Sequence, residues 1–171
     1  EPLDLLKNYL LKNLTSAPGI TQNQIKDFSD SWSQFLKNPK DTGKSKAIET
    51  STFIKHFIIG TKAINVKKKD LFEHFKDNEL VANDILQLSS DINSISKVYA
   101  SINKDPLSND FLSNDDGMYT LFTLFNTVQI HPLLMPFYNA PRVDKVRLVD
   151  AAVRYVAAVI FSYTQTNAIE A

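Results

Sequence analysis

The chain has 171 residues and no cysteine, and its 19 basic and 19 acidic residues give a formal net charge of zero. The missing cysteines exclude disulfides, a thiol nucleophile and a thiolate metal site. The balanced charge provides no overall field that would attract nucleic acid or an acidic membrane surface. No run of 18 apolar residues occurs, and the first segment, PLDLLKNYLLKNL, is charged throughout. We therefore expect a cytoplasmic protein without a membrane span or signal peptide.

Two helices are predicted at the start of the chain. Leucines at positions 3, 6, 10 and 14 have helical spacing and predict a leader helix over 1–14. Thr21 followed by Gln24 is the pattern of a capping box, and it predicts the start of a second helix, TQNQIKDFSDSWSQFLKN. Ile25, Phe28, Trp32 and Phe35 would share one face of that helix.

The middle of the chain also reads as helix. A third helix is predicted from about Ala47 to Gly60, and Asp70 is predicted to cap a short fourth one, LFEHFK. Seven apolar residues then alternate steps of four and three: Val81, Ile85, Leu88, Ile92, Ile95, Tyr99 and Ile102. This spacing suits a coiled coil, but the flanking positions lack the opposite charges that select a partner strand. We therefore expect this seam to pack within the domain.

The stretch Gly117–Pro141 carries no charged residue, in a chain that is 22% charged. The Asp- and Asn-rich loop before it, 103–116, lacks an Asp at the first position of an EF-hand register, so we expect no calcium site. Asp115 or Asp116 is predicted to cap a helix over 118–129. Three prolines should keep the residues after that helix irregular.

The last predicted helix, 143–164, ends in AAVRYVAAVIFSY, which is apolar nearly all round, so we expect it in the middle of the fold. Arg154 interrupts this run, where a charge must reach a partner or a rim. Together the segments predict an all-α fold class. We expect one globular helical domain over 1–171, with about seven helices around a phenylalanine-rich core.

Residues that would indicate an enzyme or a metal centre are scarce. His56, His74 and His131 show no paired metal-ligand spacing, and the motifs HExxH and GxSxG are missing. The four glycines stand singly and form no phosphate-binding loop. We therefore expect no catalytic residues, no metal and no cofactor.

Several segments resemble parts of a globin. TQNQIKDFSDSWSQF resembles the first globin helix with its Ser-Trp pair, and KKDLFEHFKD resembles the segment whose phenylalanines, here Phe72 and Phe75, enclose the pocket. The Ile-rich helix lies where the distal globin helix would, and 143–164 resembles the closing central helix. The resemblance implies a globin-like core over 21–165, preceded by the leader helix 1–14.

The resemblance lacks a haem ligand. The proximal His of a globin would fall near 118–125, where this chain has none. His131 is the remaining candidate, and a haem-binding globin using His131 is one alternative. The chain is most similar to non-haem sensor globins, which hold small apolar or acidic ligands, or none, and signal through partners. This similarity implies a homodimer, coupled through the leader helix, and a regulatory protein partner.

The uncharged stretch is predicted to line a cavity for a small apolar ligand or fatty acid. The predicted lining residues are Phe122, Phe125, Met135, Phe137 and Tyr138, joined by Phe72 and Phe75 from the resemblance. Arg154 is predicted to hold the carboxylate. The predicted function is a non-catalytic sensor domain that signals through protein association. The other alternative is a protein–protein interaction module with a solid core and an exposed LLMPFY surface. A fully packed core is the third explanation of the stretch.

Overall fold

The computed structural model describes residues 2–37, 49–103 and 110–162, and these parts contain eight α-helices and no strand. The predicted all-α fold class is confirmed. The α-helices are α1 (Pro2–Ser16), α2 (Gln22–Phe35), α3 (Thr50–Lys62), α4 (Leu71–Asp77), α5 (Ala82–Asn103), α6 (Asp116–Tyr119), α7 (His131–Leu134) and α8 (Arg142–Phe161). Short 3₁₀ turns cover Lys68–Asp70, Val128–Ile130 and Met135–Phe137, and Thr120–Leu124 forms a π-helical turn. The predicted helix start at Ala47, part of the predicted loop 103–116 and the predicted helix end near 164 lie outside the described residues.

Helix α1 is packed into the domain by its leucine stripe. Leu6, Leu10 and Leu14 are buried, and the helix contacts α2, α4 and α5. Tyr9 adds an edge-to-face ring contact with Phe72 on α4, with centroids 5.6 Å apart. The apolar face that the sequence offered for dimerisation is therefore covered by the chain's own core.

Helix α2 begins as the sequence predicts. The Thr21 side chain accepts a hydrogen bond from the Gln24 backbone N–H, and the Gln24 side chain accepts one from the Thr21 N–H, which completes the capping box. Trp32 is buried between Phe28 and Phe35, with ring centroids 5.7 and 4.9 Å away. This aromatic face lies against α5, the most extensive helix pairing of the fold.

Helix α5 uses its predicted seam inside the domain. Ile85, Ile92, Tyr99 and Ile102 are fully buried, whereas Leu88 and Ile95 are half-buried at the edge and Val81 is exposed. The prediction of intramolecular packing is confirmed over 85–102. Small residues beside the seam, Ser89 and Ser96, are also buried, which lets neighbouring helices approach closely.

The uncharged stretch is less regular than predicted. Asp115 caps α6 by accepting a hydrogen bond from the Met118 N–H, as expected. The predicted helix over 118–129 is wrong beyond residue 124, because Asn126 adopts a left-handed conformation (φ 49°). The Thr127 N–H then donates to the Leu121 carbonyl, and this bond closes a turn in place of further helix.

Helix α8 lies at the surface, which corrects the expectation that it is central. Its buried residues are Val149, Ala152, Val156 and Val159, and these share one face. The opposite face is open, with Phe161 80% exposed and Val143 55% exposed. An apolar composition on all sides therefore does not bury this helix, since only one face meets α6 and the π-helical turn.

Candidate functional site

A groove of about 510 Å³ lies between the end of α3, helix α4 and the part of α5 from Asp84 to Ile95. Most of its wall is apolar and consists of Phe57, Ile58, Ile64, Phe75, Leu80, Leu88 and Ile95. Pockets of about 300–1,000 Å³ with mainly apolar walls are the usual form of small-molecule sites. By size and lining, this groove is the candidate site.

Two left-handed residues position the helices around the groove. Ala63 (φ 54°) ends α3, and its N–H donates to the Ile59 carbonyl as a C-terminal cap. Glu79 (φ 44°) lies in the turn between α4 and α5. These turns connect α3, α4 and α5 around the groove, and Phe75 of α4 forms part of the groove wall.

The charged residues of the groove are few and of mixed sign. Lys62 comes from the end of α3, and Asp84 and Asp91 come from α5. Because Asp84 and Asp91 are separated by seven residues, both lie on one side of α5. All three residues are exposed, so this polar edge remains hydrated.

The structure does not bring the predicted ligand-binding residues together around this groove. Phe75 lines it. Phe72 instead packs on α1, and Phe122 lies with its ring centroid 5.0 Å from that of His131. Met135 is buried against α3, where its Cε would lie 3.3 Å from a Cβ built on Gly60.

The remaining predicted aromatic residues lie nearer the surface. Phe125 is half-buried and Phe137 is exposed. Tyr138 makes a cation–π contact with Lys145, whose Nζ lies 5.4 Å from the centroid of the Tyr138 ring. The Phe111 ring is beside it, with its centroid 6.5 Å from that of Tyr138. Burial among these rings lowers the pKa of Lys145, and repulsion from the positive charge of Arg142 lowers it further.

Arg154 is exposed on the outer face of α8. The buried residues nearest to it in sequence, Ala152 and Val156, point to the opposite face of the helix. Its charge is accommodated by solvent, and no cavity is needed to hold it. The structure therefore gives no support for Arg154 as the partner of a carboxylate inside the domain.

The LLMPFY segment is divided between core and surface. Leu134 and Met135 are buried, whereas Leu133, Pro136 and Phe137 are exposed. These exposed residues have i, i+3 and i+4 spacing and share a side of the short helical turns. The predicted exposed surface therefore consists of half of the segment.

A buried polar cluster was not predicted from the sequence. His56, Tyr99 and His131 are all at most 1% exposed, and His56 Nδ1 lies 2.9 Å from the Tyr99 hydroxyl oxygen. His131 Nδ1 is hydrogen-bonded to the Val128 carbonyl, which can only accept, so this nitrogen carries the proton. The available signal was the position of His56 within the apolar run FIKHFII, where a helical His faces the core.

The surroundings of His131 do not fit a haem. Its ring lies 4.5 Å from the Tyr99 ring, 5.0 Å from Phe122 and 6.0 Å from His56, measured between centroids. Aromatic packing occupies the space in which a porphyrin would have to sit. This packing therefore argues against the haem-binding alternative.

The described residues meet neither the requirements of a metal site nor those of a membrane-spanning helix. No group of three or more His, Cys, Asp or Glu side chains in 2–37, 49–103 and 110–162 is arranged to hold a metal ion. In the same residues, no helix is both long enough and apolar enough to cross a bilayer. Comparison with known proteins gives no match to any family model, curated protein or solved structure.

Proposed function

We propose that this chain is a non-catalytic binding domain that takes a small apolar or amphipathic molecule in the α3–α4–α5 groove and acts through protein association. The observation that carries the proposal is the groove itself, about 510 Å³ in volume with a mainly apolar wall. The sensor-globin resemblance suggests the same class of function. It remains a prediction, and the proposed ligand site differs from the one expected from the sequence.

The apolar wall would provide most of the binding free energy by burying the alkyl tail of the ligand. Burying an alkyl tail contributes about 0.8 kcal/mol per CH₂, so a ten-carbon tail supplies roughly 8 kcal/mol before association costs. The groove is open on one side, where Asp84, Gln87 and Ser94 are exposed. Part of the tail stays hydrated, and we expect micromolar rather than tighter binding.

The charged residues determine the head group. A fatty acid would place its carboxylate near Lys62, the one Lys or Arg that lines the groove among the described residues, where a charge-assisted hydrogen bond can form. Asp84 and Asp91 would repel the same carboxylate. We therefore expect an uncharged alcohol to bind at least as well as the acid of equal chain length.

Blocking the groove tests the proposal directly. Ser94 lines it and is exposed, so Ser94→Trp should fill the groove without disturbing the core. Ser90→Trp is the matched control, because Ser90 is exposed on the same helix and outside the groove wall. Calorimetric titration with decanol should show binding to wild type and Ser90→Trp and a loss of at least tenfold in Ser94→Trp.

Two outcomes would overturn this function. If neither decanol nor decanoate binds to wild type or to Ser90→Trp, the proposed ligand class is wrong. If Ser94→Trp and Ser90→Trp bind decanol equally well, the proposed site is wrong. The head-group assignment has its own test, since Lys62→Met should weaken decanoate more than decanol. Equal effects on both ligands would contradict the role given to Lys62.

A further inference from the structure

The outer face of α8 carries a regular stripe of exposed residues. Six positions alternate steps of four and three along the helix and therefore lie on one side: Val143, Arg147, Asp150, Arg154, Ala157 and Phe161. Ala157 is half-buried, and the other five are exposed. The buried residues of α8 occupy the opposite side.

The stripe has apolar ends and a charged centre. Val143 is 55% exposed and Phe161 is 80% exposed, so one exposed apolar side chain stands at each end of the stripe. Asp150 and Arg154 have i, i+4 spacing, yet neither forms an ion pair in the part of the chain that the structure describes. Both charges are therefore available to groups outside the chain.

The stripe is complementary to the same stripe of a second copy when the two helices run antiparallel. When two copies of α8 cross antiparallel about Ala152, Val143 of one copy faces Phe161 of the other, and Asp150 faces Arg154. Each of these pairs occurs twice because of the two-fold axis. Arg147 faces Ala157, whose small side chain leaves room for the longer one.

The parallel arrangement fails on the same residues. It would set Asp150 against Asp150 and Arg154 against Arg154, and like charges facing each other disfavour a pairing. The charge pattern therefore selects both the orientation and the partner. A chain of unrelated sequence would have to reproduce this pattern by coincidence.

We propose that a second copy of this chain docks antiparallel on the outer face of α8. The proposal deepens the association part of the proposed function by identifying the partner and its surface, and it does not depend on the ligand groove. The contact involves one helix from each copy, about 28 Å long at 1.5 Å per residue. Because such a contact is small compared with standard interfaces, we expect a weak, concentration-dependent dimer.

Charge reversal tests the dimer, measured by sedimentation velocity across a concentration series. Wild type should shift from monomer to dimer with rising concentration, whereas Asp150→Arg alone and Arg154→Asp alone should each remain monomeric. The double variant Asp150→Arg/Arg154→Asp should dimerise again, because it exchanges the two charges and restores the antiparallel pairs. A parallel pair would place like charges together in wild type and in this variant alike, so only the antiparallel pair predicts that both proteins dimerise.

Asp30→Arg is the matched control, since Asp30 is exposed on α2 and is not part of the α8 stripe, and this variant should dimerise like wild type. Circular dichroism should be unchanged in every variant, as all the substituted residues are exposed. The proposal is overturned if wild type remains monomeric, if either single reversal dimerises like wild type, or if the double variant stays monomeric. Decanol binding to Asp150→Arg separates the two proposals, because the groove is formed by other helices. If Asp150→Arg binds decanol but does not dimerise, both proposals are supported. If Asp150→Arg does not bind decanol while wild type still dimerises, only the groove proposal is contradicted.

Discussion

Gly117 stands in the first turn of α6, where that helix crosses α8 at close range. A Cβ added at this position would lie 2.5 Å from Val149 Cγ1 and 3.0 Å from Asp115 Oδ1. Ordinary carbon contacts are about 3.5–4.0 Å, so the first of these is about 1 Å too close. Val149 is fully buried and β-branched, so it cannot rotate away cheaply.

The expected cost of Gly117→Ala follows from three opposing effects. Alanine raises helix propensity by about 1 kcal/mol relative to glycine. Overpacking against a stiff neighbour costs about 1–3 kcal/mol, and displacement of the Asp115 cap from the Met118 N–H costs about 0.5–2 kcal/mol. We therefore expect Gly117→Ala to lower the free energy of unfolding by about 1–3 kcal/mol.

Urea unfolding followed by tryptophan fluorescence measures this change, because Trp32 is the single tryptophan and is 1% exposed. Val149→Ala removes the clashing methyl and should by itself cost about 1.6 kcal/mol plus a cavity term. In the double variant Gly117→Ala/Val149→Ala, the alanine methyl group at position 117 should occupy part of the space that the Val149 methyl groups leave. The two effects should then fall short of additivity by about 1 kcal/mol or more. A Gly117→Ala protein as stable as wild type, or strictly additive effects, would refute the close crossing of α6 and α8.

Three further predictions concern other contacts. Tyr99→Phe keeps the ring but removes the hydroxyl bonded to His56, and we expect a loss of about 1–3 kcal/mol in the same urea assay; an unchanged midpoint would contradict this buried hydrogen bond. Gly60→Ala would bring a Cβ within 3.0 Å of a backbone carbonyl of α7, so the helix-propensity gain of about 1 kcal/mol should not appear as added stability; a clear rise in the urea midpoint would disprove the tight packing. The hydrogen bond from Lys68 lowers the pKa of Glu49, so the small stabilisation from this pair is present above the ordinary Glu pKa and is lost as the pH falls through the lowered one. Because both groups are exposed, Glu49→Gln should leave the urea midpoint at neutral pH nearly unchanged, and a large drop would be inconsistent with a solvent-screened pair.

The sequence by itself determined the features that depend on neighbouring residues. The capping box at Thr21 and Gln24 fixed the start of α2, because both partners lie within one turn. The spacing of Ile85, Ile92 and Tyr99 defined the buried side of α5, because a helix keeps such residues on one face whatever packs against it. The all-α class followed from signals of this kind along the chain.

The tertiary structure decided which apolar surfaces are covered. Periodicity describes a single helix and does not specify its neighbours, so α8 read as central although only one of its sides meets the rest of the domain. The left-handed Asn126 ended a helix whose apolar pattern continues to residue 129, since the pattern carries no information about that turn. The groove wall at Phe57, Phe75 and Leu88 combines three helices that are separate in the sequence, and only their packing brings these side chains together.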